Sequence, residues 1–218
     1  MGSFFSGAIL VLLILVTSPS QAALLSLDFR TDSDGLITQD SLSGLDWLDL
    51  TVTQGMSWAF VESLITDDPA FQGFRFAQRE EVEGFVVNAG GVLPSIHPLS
   101  ENYLPISSLM EFVGVTQTIS STYAISRGIL SPLSGMSDGP YGQSRNRFSL
   151  VTYGNAGQVA PYDGTQKYNE TSVYTGSWLV RASTASPVPN PPAFVLMLTG
   201  LTVLGAMRRY ISFKEQTS

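Results

Sequence analysis

The sequence predicts an α+β domain with a small mixed or antiparallel sheet and two or three helices, between an N-terminal signal peptide and a C-terminal transmembrane helix. Apolar stretches occupy the two ends of the 218-residue chain. Between them, short strand-like blocks and amphipathic helical segments are separated by loops rich in Gly, Ser and Pro. Without its ends the chain keeps roughly 165 residues, enough to bury a sizeable core.

The first 22 residues have the layout of a secretory signal peptide. An uncharged apolar run, residues 4–16, is followed by small and turn-forming residues. Ser20 and Ala22 occupy the third and first positions before the predicted cleavage point. No Lys or Arg precedes Arg30, which departs from the usual basic start. A buried N-terminal helix is the alternative interpretation.

Residues 23–182 are predicted to form the exported globular domain. Its first half begins with turns at Asp34-Gly35 and Ser43-Gly44, followed by a strand-like block around Trp47. Ser57 is placed to cap a helix over residues 58–65, because its hydroxyl can accept a hydrogen bond from the first turn. A short strand is expected over residues 73–76.

Residues 78–88 have the clearest helical pattern. Glu80, Glu81 and Glu83 fill the first turns, where they suit the helix dipole as a solvated helix start, and Gly90-Gly91 end the pattern. A second short helix is predicted over residues 108–113. The remainder predicts strands at residues 121–129, 147–153 and 177–182.

The C-terminal end has three parts. Residues 183–192 form a linker rich in Pro, Ser and Ala, residues 193–210 a transmembrane helix with a basic stop, and residues 211–218 a cytoplasmic tail. The uncharged stretch 193–207 would span roughly 22 Å as a helix, against a hydrocarbon core of about 30 Å. The Arg208-Arg209 pair should stay in the cytoplasm, which leaves the domain outside. A permanent anchor and a buried core helix are the alternatives.

This end resembles the PEP-CTERM sorting signal of Gram-negative bacteria. In that family a Val-Pro-x-Pro motif precedes a short apolar helix and a basic cluster, here Val188-Pro189-Asn190-Pro191 and Arg208-Arg209. Asn190 stands where the usual motif has Glu. The resemblance implies processing by an exosortase, a membrane-embedded transpeptidase-like protease, in a bacterium that makes exopolysaccharide.

The middle of the chain resembles exported PEP-CTERM domains through three blocks: residues 44–51 with Ser57-Trp58, residues 73–82, and Gly176-Ser-Trp-Leu-Val-Arg181. More distantly, the order of blocks is similar to the C-terminal domain of Legionella collagen-like adhesins, which is related to C-type-lectin-like folds. That order is an early Trp strand, two helices, a Gly-aromatic-Arg block and a closing Val-Arg strand. The resemblance implies that the first and last of these strands pair and bring the chain ends together beside the linker. It confers no function by itself.

Composition excludes several function classes. The net charge of −7 argues against nucleic-acid binding, which needs clustered Lys and Arg. The chain has no Cys and one His, so thiolate nucleophiles and transition-metal sites are not expected. No phosphate-binding glycine loop is present, and we expect no cofactor.

No catalytic site is predicted. His97 lies between prolines, which favours an exposed loop. Asp32 and Asp34 begin like a calcium loop, but later ligand positions are missing, so a surface turn is expected. Asp46 and Asp49 suggest a glycosidase-like pair, which would make the protein a secreted hydrolase. An exposed strand face is the preferred interpretation of these two aspartates.

Tyrosines among Asn, Asp and Gly suggest a second function. Tyr141, Tyr162 and Tyr168 lie in such segments, as do Tyr153 and Tyr174, and could stack on sugar rings. We therefore expect a non-enzymatic protein of the envelope or extracellular matrix, sorted through the inner membrane, with a carbohydrate-binding module as the alternative. Ordinary surface loops would give the same tyrosine pattern.

Overall fold

The computed structural model describes residues 24–131, 144–161 and 163–184. Within them the chain forms two β-sheets and three α-helices, which confirms the predicted α+β class with antiparallel pairing and few helices. The α-helices are α1 (Trp58–Asp67), α2 (Arg79–Asn88) and α3 (Tyr103–Val113). The strands are β1 (Leu24–Leu27), β2 (Ile37–Asp40), β3 (Leu45–Leu48), β4 (Arg75–Phe76), β5 (Gln117–Ser120), β6 (Tyr123–Ile129), β7 (Ser144–Tyr153), β8 (Ala156–Ala160), β9 (Thr165–Lys167), β10 (Gly176–Ser177) and β11 (Leu179–Ala182).

The five-stranded sheet has the order β1-β2-β3-β11-β4, and all its neighbours are antiparallel. Its registers place Leu24, Asp40, Leu45 and Ala182 in one row across four strands. The start of β1 and the end of β11 therefore lie at the same end of this sheet. They are three strand spacings apart, or about 14 Å.

The six-stranded sheet has the central order β10-β6-β7-β8, with β5 also pairing β6 and β9 also pairing β7. The β6–β7 ladder is the longest, from Tyr123 opposite Tyr153 to Ile129 opposite Arg147. The short β10 pairs parallel with β6, so this sheet is mixed. The chain passes from β10 of this sheet to β11 of the other across Trp178.

Two apolar clusters hold these layers together. The larger one joins α2, α3 and both sheets, and in it Trp47 stacks on Phe85 at 4.4 Å between ring centroids. The smaller one packs α1 and the Phe71–Phe74 segment against Leu48 and neighbouring residues of the five-stranded sheet. Strands β2 and β3 are accordingly buried along nearly their whole length.

Polar side chains at the N-termini of α1 and α2 cap these helices. Ser57 caps α1 by accepting a hydrogen bond from the Phe60 amide at 3.2 Å, as predicted. Glu81 does more than fill the first turn of α2 as a solvated carboxylate: it accepts from the Gln78 amide at 2.8 Å and pairs with Arg75 at 2.5 Å. The ion pair raises the pKa of Arg75 and lowers the pKa of Glu81.

Some predictions about the elements were wrong. The pairing of the early Trp strand with the closing strand is not among them, because β3 and β11 are antiparallel neighbours with Trp47 opposite Val180. The third helix starts at Tyr103 rather than at residue 108, with Pro105 accommodated in its first turn. Strands β1, β2, β5, β8 and β9 were not predicted.

Across 24–131, 144–161 and 163–184, no helix combines the length and the apolar character that crossing a bilayer requires. The predicted signal peptide, residues 1–22, and the predicted transmembrane helix, residues 193–210, lie outside the described residues.

Candidate functional site

The sorting residues themselves lie outside the part of the chain that the structure describes: Val188, Pro189, Asn190, Pro191, Arg208 and Arg209. The structure does describe where the chain leaves the domain towards them. Ser183, just after β11, donates its amide to the Gly44 carbonyl at 2.9 Å. Its hydroxyl accepts a hydrogen bond from the Gln39 side chain. The chain is thus bonded to the sheet up to Ser183.

An ion pair with a buried carboxylate holds the last strand just before the chain leaves the domain. Arg181 in β11 pairs with Asp46 in β3 at 3.2 Å, and the Asp46 side chain is only 2% exposed. The Gln39 amide also reaches the Asp46 carboxylate at 3.5 Å. The Arg181 guanidinium lies over the Phe74 ring at 4.7 Å. Charge, amide and ring together fix the last strand between β3 and β4.

Asp46 and Asp49 are both buried, so the predicted exposed strand face was wrong. Asp46 lies within β3, whereas Asp49 follows the strand and caps the 3-10 turn over Leu50–Thr53. Asp46 binds Arg181, whereas Asp49 accepts from the Thr51 amide at 2.7 Å and lies against Gly114 at the end of α3. Each carboxylate is therefore bound by partners of its own.

The Asp32–Gly35 segment is a surface turn, as predicted. The Asp34 carboxylate accepts hydrogen bonds from the amides of Phe29, Arg30, Thr31 and Leu36. These bonds hold the pKa of Asp34 well below its ordinary value, led by those from Phe29 and Thr31. The carboxylate oxygens are therefore occupied by the backbone of their own loop.

Two further predictions concerned His97 and metal binding. His97 is exposed in a loop, as predicted. Among the described residues, no group of three or more His, Asp and Glu side chains is placed to hold a metal ion.

Of the three tyrosines predicted to bind sugars, Tyr141 and Tyr162 lie outside the described residues. Tyr168 packs edge-on against Trp58 at 4.4 Å and donates its hydroxyl to Glu62 at 2.8 Å. Its carbonyl accepts from the Ala59 amide at 3.1 Å. Tyr168 thus holds the β9–β10 connection against the start of α1.

The structure also contains a polar cluster that was not predicted from the sequence. It lies on the face of the six-stranded sheet away from the side chains of Phe148 and Leu150, which we call the outer face. Arg127 in β6 is directly opposite Ser149 in β7. Both side chains bind the Asp163 carboxylate, Ser149 at 2.6 Å. The Arg147 Nε donates to the Asp163 carbonyl at 2.7 Å. The cluster can hold the loop after β8 on the outer face, with two cations beside one carboxylate.

The charge state of Asp163 follows from these contacts. Burial raises its pKa, but the hydrogen bonds from Ser149 and Arg127 and the charges of Arg127 and Arg147 outweigh that effect. The pKa of Asp163 consequently lies below its ordinary value of 3.8. A carboxylate with a lowered folded-state pKa stabilises the fold above its ordinary pKa, and this stabilisation is lost as pH falls through the lowered value.

Asp163→Asn should therefore destabilise the protein in a pH-dependent way. At pH 7 we expect a loss of about 1 kcal/mol, at the low end for a charged hydrogen bond because Asp163 is partly solvated. Thermal unfolding as a function of pH measures the loss. The difference from wild type should be constant from pH 7 to 5 and shrink below the ordinary pKa of 3.8. Asp32→Asn, at an exposed position, is the control, and an equal effect there would contradict the assignment.

The chain was compared with models of protein families, with curated proteins and with solved structures. No family model matches it. No curated protein and no solved structure matches it either.

Proposed function

We propose that this chain is an exported protein of the cell envelope or extracellular matrix, sorted through its C-terminal end, and that its folded domain is not an enzyme. The observation that carries the proposal is the order of three segments: Val188-Pro-Asn-Pro191, the uncharged stretch 193–207 and Arg208-Arg209. An apolar helix followed at once by two cations is held in one orientation across a bilayer. The N-terminal apolar run supplies the export signal.

The layout of the domain supports this proposal. Cleavage after Ala22 would leave a new N-terminus, Ala23, one residue before β1, and the linker leaves after β11. Leu24 and Ala182 belong to the same row of the five-stranded sheet. Both ends then emerge from one end of that sheet.

The proposed partners follow from the same end of the chain. An exosortase-type enzyme would recognise the Val188–Pro191 motif and cut near it while residues 193–210 sit in the inner membrane. The product would reach the cell surface or the extracellular space and associate with exopolysaccharide in a biofilm. A substitution at position 190 tests recognition of the motif. If the enzyme prefers Glu at this position, Asn190→Glu should be processed at least as fast as wild type.

Intact-mass measurement of the exported protein tests the processing. The expected mature chain lacks residues 1–22 and the segment after the motif. Arg208→Glu with Arg209→Glu should reduce the processed fraction to about a tenth or less, because the helix loses the charge that fixes its orientation. The matched control is Arg208→Lys with Arg209→Lys, which keeps both charges. A mature chain that still contains residues 194–210 would mean a permanent anchor.

A lectin-like carbohydrate-binding module is the second candidate function. It is favoured by an exposed aromatic side chain on the outer face, Tyr153, which is 63% exposed. The third candidate, a hydrolase using Asp46 and Asp49, has no support from the separate surroundings of those two residues.

A further inference from the structure

Two tyrosines form a pair at one end of the outer face. Tyr123 at the start of β6 is directly opposite Tyr153 at the end of β7. Their rings meet edge-on with centroids 5.4 Å apart. The turns before and after them are bonded, since the Gly154 amide donates to the Thr122 carbonyl at 2.8 Å. The pair is therefore held on a rigid part of the sheet, with Tyr153 open to solvent.

Polar side chains without charge surround this pair. Gln117 is opposite Ile125, and Gln158 is opposite Val151, so both glutamines share the face of the tyrosines one row further along the strands. Both are partly exposed. The Ser120 and Thr122 hydroxyls lie 3.4 Å apart beside Tyr123 in the preceding turn. We call Tyr123, Tyr153, Gln117, Gln158 and Ser120 the tyrosine surface.

The two segments that carry the tyrosine surface contain no charged residue, and Arg127, which follows in β6 on the same face, is paired with Asp163. Residues 114–126 and 148–161 lack Asp, Glu, Lys, Arg and His, although the chain has 11 basic and 18 acidic residues. Within these two hairpin segments a charged ligand would find no counter-charge. Hydroxyl and amide groups beside an exposed aromatic ring match a neutral ligand that has both hydroxyls and an apolar C–H face.

We propose that the tyrosine surface binds a neutral polysaccharide. A sugar ring lays its C–H face on the exposed ring of Tyr153. Its hydroxyls exchange hydrogen bonds with the Gln117 amide and the Ser120 hydroxyl. They also donate to the side-chain carbonyl of Gln158, whose amide NH2 group donates to the Ile96 carbonyl at 2.7 Å. The proposal rests on the proposed function in one respect: the domain must be outside the cell to meet such a polymer.

A protein partner fits this surface less well. The large apolar side chains exposed on the two hairpins are Val115, Ile119 and Tyr153. A stable protein interface buries about 800 Å² on each partner around a well-packed apolar centre. Three separate apolar side chains fall short of that. A single sugar unit, in contrast, needs one aromatic ring and a few hydrogen-bonding groups.

The test is affinity electrophoresis of the purified full-length protein in gels containing dextran, xylan or soluble cellulose ether, with anionic alginate as the charged comparison. Wild type should be retarded by at least one neutral polymer. Tyr153→Ala should weaken the retardation about tenfold, by loss of the stacking ring. Tyr153→Phe should keep most of it. Tyr174→Ala is the matched control, because Tyr174 is 50% exposed but lies outside both hairpins.

Each other outcome overturns the proposal. Wild type that passes all neutral gels unretarded has no such site, and retardation by alginate alone means a charged ligand. Equal losses in Tyr153→Ala and Tyr174→Ala would assign the binding to another surface. Circular dichroism confirms that each variant is folded. Mass analysis of the same variants reports export and processing separately, so failure of binding and failure of the proposed function are distinguishable.

Discussion

Replacing Trp178 with Ala is expected to lower the free energy of unfolding by about 4–5 kcal/mol, at the top of the range for removing a large buried aromatic side chain. Trp178 is fully buried. Its ring meets Trp47 and Phe148 edge-on, with 6.1 Å between centroids in both cases. The indole N–H donates to the Phe148 carbonyl at 3.0 Å. The alanine variant loses the ring contacts and the hydrogen bond from the indole to that carbonyl.

The position of Trp178 explains why the cavity cannot collapse easily. Its amide donates to Ile129 of β6 at 2.9 Å, and its carbonyl accepts from Ala77 after β4 at 2.7 Å. The backbone at Trp178 is therefore bonded to both sheets at once. Neighbouring elements cannot shift into the space without breaking one of these bonds, so we expect the full cost of the cavity.

Urea unfolding of the purified protein, followed by circular dichroism, measures this loss. Trp178→Phe is the matched control: it keeps most of the apolar ring and removes only the hydrogen bond to Phe148. We expect it to cost about 1–2 kcal/mol. If Trp178→Ala cost no more than Trp178→Phe, the indole ring would not be the element that joins the sheets.

The sequence predicted those elements whose signals are local. Ser57 marked the start of α1, and Gly90-Gly91 marked the end of α2, because caps and terminators act within one turn. The block around Trp47 was recognisable as a strand from its apolar residues. None of these predictions depended on tertiary contacts.

Strand β2 was not predicted because it lacks such a local signal. Its residues Thr38, Gln39 and Asp40 are polar yet buried, so they lack the alternation that predicts a half-buried strand. Asp40 is satisfied by Asn88 at 2.7 Å and by Ser43 at 2.7 Å. Burial of polar side chains depends on partners that are brought close only by the fold.

The contacts of Arg127 and the exposure of Tyr153 likewise depend on the register in which strands pair. Arg127 and Asp163 lie far apart in sequence and meet because β6 and β7 pair in one particular register. The sequence indicated that tyrosines form a possible sugar-binding set, but gave no reason to prefer Tyr153 over Tyr168. Pairing with Tyr123 leaves Tyr153 exposed, whereas packing on Trp58 engages Tyr168. A one-residue change of register would have reversed the faces.

Arg181→Met is expected to lower the free energy of unfolding by about 3 kcal/mol, because it leaves the buried Asp46 carboxylate without its cation. Met keeps the length of the side chain and its packing on the Phe74 ring, so the change isolates the charge. The Gln39 amide remains near Asp46 at 3.5 Å, too far to replace the ion pair. The loss should be measured by urea unfolding at pH 7.

A double-mutant cycle separates the charge from the packing. Asp46→Asn removes the negative charge, so in that background Arg181→Met should cost only about 1 kcal/mol or less. A coupling of about 2 kcal/mol between the two positions is then expected. Equal costs of Arg181→Met in both backgrounds would mean that the guanidinium acts only through its stack on Phe74. Arg181 lies two residues before Ser183, whose amide bonds to the Gly44 carbonyl. Such a result would therefore also mean that the ion pair is not what holds β11 in place where the chain leaves the domain.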